Sequence, residues 1–125
     1  MNLMVIIPCL NEERTIADVI RGIPDHIEGI TGIEVVVVDD GSEDATAARA
    51  RSAGASVISH PRNLGVGAAF NTGLSSAIRS GADIILNIDG DGQFDPAQIP
   101  SLVTPILEDK ADFTSASRFK DKTLR

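Results

Sequence analysis

Apolar runs alternate with helix-like periodic stretches along the whole sequence. Short runs rich in β-branched residues, each followed by loop-forming residues, predict buried strands. The predicted strands cover 3–8, 33–38, 55–59, 84–88 and 112–115. Apolar residues spaced three or four positions apart predict helices over 12–23, from Ser42 or Asp44 to about 53, over 67–80 and from about 100 onward. This alternation predicts an α/β fold in which a mostly parallel sheet is flanked by helices.

Two of the predicted helices carry features that define their faces and ends. The helix over 67–80 has Phe70, Leu74 and Ile78 on one side, and helical periodicity makes this its expected apolar face. Pro105 lies inside the periodic pattern of the last helix. Because proline removes a backbone donor, we expect it to kink that helix or to shift its start.

Acidic residues cluster where three of the predicted strands end. The first strand leads into Glu12, the second into Asp39 and Asp40, and the fourth into Asp89 and Asp91. The carboxyl ends of parallel strands meet at one edge of a sheet, and such folds bind their ligands outside that edge. We therefore expect these carboxylates to lie close together and to mark the ligand site.

The segment Asp-Gly-Asp-Gly at 89–92 combines carboxylates with flexible backbone. Because side chains alternate along a strand, Asp89 and Asp91 are expected to point the same way. Gly90 and Gly92 let the backbone turn tightly and leave room for a ligand. Two carboxylates on one side suit Mg²⁺ or Mn²⁺ carrying a phosphate substrate. An isolated Asp-x-Asp is equally compatible with a polar strand end followed by a glycine turn.

Composition narrows the function classes. A length of 125 residues predicts one domain, and a formal net charge of −7 argues against a nucleic-acid-binding surface. The single cysteine excludes an internal disulfide and fits a reducing compartment. No apolar run approaches the roughly 20 residues that span a bilayer. We therefore expect a soluble protein of the cytoplasm, with no membrane span in this chain.

Other reactive or ligand-binding residues give weaker signals. The pair Gly65 and Gly67 lacks the third glycine of a dinucleotide loop, so these glycines are interpreted as turn and helix-packing residues. Cys9 has no histidine nearby in the sequence and is interpreted as a small residue beside a loop rather than a nucleophile. His26 and His60 are lone loop residues without metal-ligand spacing.

Taken together, these segments resemble glycosyltransferase family 2, the inverting nucleotide-sugar transferases with the Rossmann-like GT-A fold. The similar segments are VIIPCLNE at 5–12, VVVDDGSEDAT at 36–46, NLGVGAAFNTG at 63–73, DGDGQ at 89–93 and ASRF at 116–119. Gln93 and the Ser-Arg-Phe run at 117–119 look most like the dolichyl-phosphate mannose synthase and polyprenyl-phosphate glycosyltransferase branch.

The resemblance implies a role for each matching residue. The residues implied to bind the nucleotide or the sugar are Pro8, Leu10, Glu12, Val38, Asp40, Asp89, Gly90, Gln93 and Arg118. The metal, Mg²⁺ or Mn²⁺, would be held by Asp89 and Asp91. Within this set Asp40 would recognise the base edge, and Gly90 would let the ribose or sugar pack against backbone. Asp39 would be structural.

The resemblance also implies what this chain does. It predicts metal-dependent transfer of a sugar, with inversion, from a UDP- or GDP-linked donor to an acceptor, for which a polyprenyl phosphate at the cytoplasmic face of the membrane is the candidate. Residues 1–119 would be the nucleotide-sugar-binding half-domain and 120–125 a polar tail. The family's acceptor half, where a catalytic base would lie, has no counterpart here. The sheet edge near residue 113 is expected to be under-covered, which favours a homo-oligomer.

Two alternatives remain open from the sequence. One is a non-catalytic nucleotide-sugar-binding module that works only with another chain, since the acceptor half is missing. The other is a phosphotransferase of the haloacid dehalogenase type, because an apolar strand leading into Asp-Gly-Asp-Gly resembles its nucleophile motif. Gln93 stands where that motif normally has threonine or valine, and the segment lies on the fourth strand rather than the first.

Overall fold

The computed structural model describes residues 1–109 and 113–115, and it contains one parallel sheet of five strands in the order β3-β2-β1-β4-β5. The strands are β1 (Asn2–Cys9), β2 (Gly32–Asp39), β3 (Ser56–Ser59), β4 (Ile84–Asn87) and β5 (Phe113–Ser115). The helices are α1 (Ile16–Arg21), α2 (Thr46–Ser52), α3 (Val66–Arg79) and α4 (Ile99–Asp109), and a 3₁₀ turn at Pro96–Gln98 precedes α4. The predicted α/β fold with a parallel sheet flanked by helices is confirmed.

Strand β1 lies at the centre of the sheet and separates two apolar layers. Its residues Leu3, Val5 and Ile7 belong to the larger core with residues of α1, α2 and α4. Met4 and Ile6 belong to the smaller core with residues of α3. This alternation follows from the twofold periodicity of side chains along a strand. The unbroken apolar run from Leu3 to Ile7 therefore follows from burial on both faces.

Helix α3 packs on the sheet through a face that the sequence prediction got wrong. The buried residues of α3 are Ala69, Gly73 and Ala77. A Cβ at Gly73 would overlap the side chain of Ile6, so the helix lies too close to β1 for larger residues. Phe70 and Leu74, which were expected to form the apolar face, are only half-buried, and Ile78 is 66% exposed.

Helices α1 and α2 begin later than expected. The first helix starts at Ile16 rather than near residue 12, and α2 starts at Thr46 with Ala45 in the N-cap position. Of the two candidate caps, Ser42 instead accepts the N–H of Asn11 with its hydroxyl oxygen. Asp44 accepts the N–H of Thr46, the first residue of α2. The residues between each strand and its helix therefore form ordered loops at the carboxyl edge of the sheet.

The last helix tolerates its internal proline. Helix α4 begins at Ile99 and continues past Pro105 to Asp109. Ile99, Val103 and Ile106 are buried at helical spacing, and the exposed Pro105 lies away from that face. Within the described part of the chain, the helices are too short or too polar to cross a membrane. Strand β5 is an edge strand of the described sheet, as expected, and association through it stays a prediction.

Candidate functional site

The strand order places the expected site at one edge of the sheet. Consecutive strands run from β1 outward to β3, and the chain then returns to add β4 on the other side of β1. In open parallel sheets, the crevice outside the carboxyl ends of the strands at such a reversal is the usual ligand site. The loop after β1 and the Asp-Gly-Asp segment after β4 flank this crevice. Asp39 and Asp40, at the end of β2, lie on its other side.

The loop after β1 is held by the loop after β2. The N–H of Asn11 donates to the Ser42 hydroxyl over 2.8 Å, and the N–H of Glu43 donates back to the Asn11 side-chain oxygen over 2.9 Å. Asn11 adopts a left-handed conformation with φ of 55°. Asparagine is one of the few non-glycine residues that accept this conformation readily. The pair of loops is therefore built as one unit, a feature that no local sequence pattern indicated.

Thr46 is the buried centre of this unit. Its side chain is 0% exposed, its hydroxyl oxygen accepts the N–H of Glu12 over 2.8 Å, and the hydroxyl donates to Asp44. Burial tends to raise the pKa of Asp44, but hydrogen bonds from Thr46 and the N–H of Glu13 outweigh it and hold that pKa below its ordinary value. The ionised Asp44 thus fixes Thr46, and Thr46 fixes the backbone of Glu12.

The Asp-Gly-Asp segment is a turn beyond the strand, not part of it. Strand β4 ends at Asn87, so the alternation of side chains along a strand, which was expected to point Asp89 and Asp91 the same way, does not set their directions. Gly92 has a φ of +84°, which confirms the expected tight turn, and Asp91 accepts the N–H of Gln93 over 3.0 Å. The conformation of this turn, rather than the alternation of side chains along β4, brings the carboxylates to the crevice.

Gly90 is needed for an internal contact. A Cβ added at Gly90 would lie 2.6 Å from the Cys9 sulfur and 3.4 Å from Ile16 and Ile7 side-chain carbons. The face of Gly90 that lacks a side chain therefore points into the core. The missing side chain therefore leaves no room for a ligand on this face, and packing of a ribose or sugar against the Gly90 backbone stays a prediction. Thr15 contacts the same residue and donates to the Gly90 carbonyl oxygen over 2.6 Å.

Carboxylates from both loops share one electrostatic environment. Burial raises the pKa of Glu12, and the negative charges of Asp91, Asp89 and Asp44 raise it further, while the neighbouring Thr15 hydroxyl opposes them. Negative charge therefore converges between the loop after β1 and the turn after β4. Among the residues that the structure describes, no group of three or more His, Cys, Asp or Glu side chains forms a complete metal cage. The arrangement matches Mg²⁺, which proteins often bind through one or two carboxylates plus substrate phosphates.

Cys9 takes no part in chemistry. Its side chain is buried, and burial together with the charges of Glu12 and Asp39 raises the pKa of the thiol above its usual range. A protonated, inaccessible thiol is a poor nucleophile. This observation agrees with the interpretation of Cys9 as a packing residue.

Asp40 lies at the end of β2 and is occupied by groups of this chain. It is 5% exposed, and its carboxylate accepts the N–H groups of Leu64 and Gly65, each over 2.9 Å. The Nδ1 of His60 lies 2.8 Å from Asp40 Oδ1, and the Nε2 of His60 lies 2.8 Å from the Thr72 hydroxyl. Burial tends to raise the pKa of Asp40, but these hydrogen bonds and the charge of His60 outweigh it and lower that pKa.

His60 is therefore not the lone loop residue that the sequence suggested. Its partners are 20 positions upstream and 12 positions downstream, so no short motif joins them.

Three glycines lie in or next to the loops around this site. Gly41, with a φ of +81°, packs so closely on the backbone of Arg62 and Asn63 that a Cβ would overlap it. Of the two glycines interpreted as turn and packing residues, Gly65 has a φ of +107° and forms the turn, while a Cβ at Gly67 would meet none of the described residues within 4 Å.

The remaining predicted residues differ in their access to the crevice. Pro8 is half-buried, Leu10 is 39% exposed and Gln93 is exposed. Val38 is 0% exposed and belongs to the α3-side core, so its side chain cannot reach a ligand. Arg118 lies outside the described residues.

Comparison with known proteins identifies the family to which this geometry corresponds. The profile of glycosyl transferase family 2 matches residues 4–124. The chain is 37% identical to the uncharacterized protein MJ1222 of Methanocaldococcus jannaschii, over 96% of this chain and 48% of that protein. It is 32% identical to the UDP-N-acetylglucosamine–dolichyl-phosphate N-acetylglucosaminyltransferase of Methanococcus voltae, over 94% of this chain and 52% of that protein. The chain spans about half the length of these relatives.

Solved structures give the same result. The chain matches glucosyl-3-phosphoglycerate synthase from Mycobacterium tuberculosis in complex with Mn²⁺, UDP-glucose and phosphoglyceric acid, with a TM-score of 0.67 and 35% identity, over 85% of this chain and 39% of that one. A structure of the same enzyme with Mg²⁺ and UDP matches with a TM-score of 0.64 and 32% identity, over 85% and 39% of the two chains. The resemblance seen in the sequence and the Rossmann-like GT-A fold are confirmed. The phosphotransferase alternative receives no support.

Proposed function

Because the chain belongs to glycosyl transferase family 2, we propose that it is the donor-binding part of a glycosyltransferase that moves a sugar from a nucleoside diphosphate to an acceptor with inversion. The observation that carries this proposal is geometric: the hydrogen bond from Thr15 to Gly90 joins the loop that holds Glu12 to the Asp-Gly-Asp turn, at the reversal of strand order. A solved relative that holds Mn²⁺ with UDP-glucose supports a nucleotide-sugar donor.

We assign the divalent cation, Mg²⁺ or Mn²⁺, to Asp89 and Asp91. Hard carboxylate oxygens fit either ion, and donor phosphates and water would complete the coordination. A cation bound there supplies Lewis-acid stabilisation of the charge that develops on the departing nucleoside diphosphate. Burial and the charges of the aspartates raise the pKa of Glu12, and a cation nearby would offset the repulsion between these carboxylates, so Glu12 fits this assignment.

The protein's own residues position the donor. The hydrogen bond from Thr15 to Gly90 holds the Asp-Gly-Asp turn against the loop after β1. Glu12 offers a carboxylate to a ribose hydroxyl, and the exposed Leu10 offers an apolar surface to the base. Pro8 shapes the same loop, and Val38 contributes backbone only, because its side chain is buried in the core.

The other assigned residues lie along the donor from base to sugar. Asp40, at the end of β2, contacts the base edge. Gln93 follows the metal-binding turn and is exposed, which suits a contact to the diphosphate or the sugar. Arg118 has the same assignment from the resemblance. Its guanidinium is the side chain best suited to bidentate phosphate binding.

We propose a polyprenyl phosphate as the acceptor. The Methanococcus voltae relative is named for transfer to dolichyl phosphate, which supports this choice. The anionic phosphate oxygen would attack the anomeric carbon from the face opposite the leaving group, so that a glycosyl phosphate forms, the nucleoside diphosphate departs and no general base is needed. Transfer to such an acceptor would take place at the cytoplasmic face of a membrane.

A second candidate function is a nucleotide-sugar-binding module that needs another chain for turnover. The chain spans about half the length of its curated relatives, so transfer by this chain alone is a separate question from binding of the donor. Both candidates share the donor site and differ only in whether this chain alone transfers the sugar.

A transfer assay separates the two. The chain is incubated with Mn²⁺, radiolabelled UDP-N-acetylglucosamine or UDP-glucose, and a polyprenyl phosphate in detergent, and label is counted in the organic phase. Label that disappears with Asp91→Ala and persists with Asp18→Ala, a carboxylate exposed on α1, supports the enzyme. UDP binding without transfer supports the module. A folded chain that binds neither UDP nor GDP and transfers no sugar contradicts both.

A further inference from the structure

The carboxylate of Asp40 has almost no hydrogen-bonding capacity left. An ionised carboxylate offers two acceptor positions on each oxygen. On Oδ1, one is filled by the N–H of Leu64 and the other by Nδ1 of His60. On Oδ2, the N–H of Gly65 fills one position. Among the described residues this leaves a single acceptor position, on Oδ2.

His60 is held in place from both sides. Its side chain is 9% exposed, and its two ring nitrogens lie 2.8 Å from Asp40 and from the Thr72 hydroxyl. An ionised carboxylate cannot donate, so Nδ1 must carry the hydrogen that points at Oδ1. Thr72 lies on α3, so the imidazole connects the end of β2 to the helix that covers one face of the sheet. His60 therefore has little freedom to leave Oδ1.

We propose that His60 sets the base preference of the donor site, by filling Oδ1 of Asp40 so that only one base N–H can bind the remaining position on Oδ2. This inference rests on the proposed function, in which Asp40 contacts the base. Uracil presents one imino N–H between two carbonyl groups and matches a single acceptor. Guanine presents an imino N–H beside an amino group, a pair of donors that matches the two oxygens of a free carboxylate. The site therefore favours uridine over guanosine diphosphates.

The test compares the affinities of UDP and GDP, with Mn²⁺, for the wild-type chain and for variants of His60. The wild type is expected to bind UDP more tightly. His60→Ala opens Oδ1 to the second guanine donor, so the ratio of GDP to UDP affinity rises by roughly tenfold, the effect of about one hydrogen bond to a charged group. His60→Asn, whose side-chain N–H can stand in for Nδ1, keeps the wild-type ratio. The exposed His26 supplies the control His26→Ala, which changes neither affinity.

A purely structural role of His60 gives a different result. In that case His60→Ala weakens UDP and GDP equally and leaves their ratio unchanged, which overturns the inference while the proposed function stands. A wild type that prefers GDP also overturns it. If His60→Ala does not fold, Thr72→Val decides, because it keeps the imidazole but frees it from α3, and a ratio shift of about threefold in the same direction is expected. A folded wild type that binds neither nucleotide contradicts the proposed function, and the inference with it.

Discussion

Thr15 donates its hydroxyl hydrogen to the carbonyl oxygen of Gly90 over 2.6 Å, across 75 positions of sequence. This bond joins the loop after β1, just before α1, to the Asp-Gly-Asp turn after β4. These two segments flank the crevice where the strand order reverses. The hydroxyl of Thr15 therefore helps to fix the position of the two aspartates relative to Glu12.

Replacing this threonine is expected to loosen the donor site. Thr15→Val keeps the shape of the side chain but loses the hydrogen bond to Gly90, so the free energy of unfolding falls by about 1 kcal/mol. Binding of UDP with Mn²⁺ weakens as the turn shifts. Denaturant unfolding and calorimetric titration measure the two effects. Thr31→Val, which removes a hydroxyl bonded to Met1 at the other end of β1, is the matched control and leaves UDP affinity unchanged.

Gly90→Ala tests the close approach to Cys9. The added methyl group would lie 2.6 Å from the Cys9 sulfur, and overpacking of this kind costs about 1–3 kcal/mol of unfolding free energy. The double variant Gly90→Ala/Cys9→Ala should lose less stability than the sum of its parts, because the smaller side chain makes room. Gly67→Ala in α3 has open space around it and is expected to stabilise by about 0.5–1 kcal/mol. Simple additivity of the Gly90 and Cys9 substitutions would exclude the contact.

Stability should depend on the ionisation of Glu12. Its pKa in the folded state is raised above the usual value of 4.5, so its contribution to stability is fully present below that value and is lost as pH rises through the folded pKa. Glu12→Gln is therefore expected to raise the unfolding temperature at pH 7 without metal, and this gain should shrink toward pH 4. Thermal unfolding followed by circular dichroism measures both. Glu34→Gln, a substitution of an exposed residue on β2, is the control. If both variants change the unfolding temperature equally at pH 7 and at pH 4, the ionisation of Glu12 does not destabilise the fold.

The sheet and the acidic edge could be predicted from the sequence for clear physical reasons. Runs such as 3–8 and 84–88 are apolar at nearly every position because strands of a covered parallel sheet are buried on both faces. Once the strands are parallel, the carboxyl ends of β1, β2 and β4 must meet at one edge. The carboxylates that follow these three strands therefore lie at that edge, as predicted.

The packing of α3 could not be predicted in the same way. A hydrophobic pattern favours the large residues Phe70, Leu74 and Ile78, whereas the distance between α3 and β1 leaves room only for Ala69 and Gly73. That distance is a property of the folded chain. A stripe of small residues at helical spacing was the available signal.

The details of the site depend on contacts between distant loops. His60 meets Asp40 and Thr72 only after β2, β3 and α3 have assembled, and Thr46 meets Glu12 only when α2 lies beside the first loop. The contacting residues lie far apart in the sequence, so no short motif indicates these contacts. Gly90 was expected to allow a tight turn and to leave room for a ligand, but the direction of its missing side chain, toward Cys9, could be learned only from the structure.

The most direct test of the central claim is calorimetric titration of UDP into the wild-type chain and into Asp91→Ala, each with Mn²⁺ and with a chelator. The account predicts that the wild type binds UDP with Mn²⁺ and far more weakly with chelator, and that Asp91→Ala remains folded but loses the metal-dependent part of the affinity. Equal UDP affinity with and without metal in both proteins would contradict a cation site at Asp89 and Asp91.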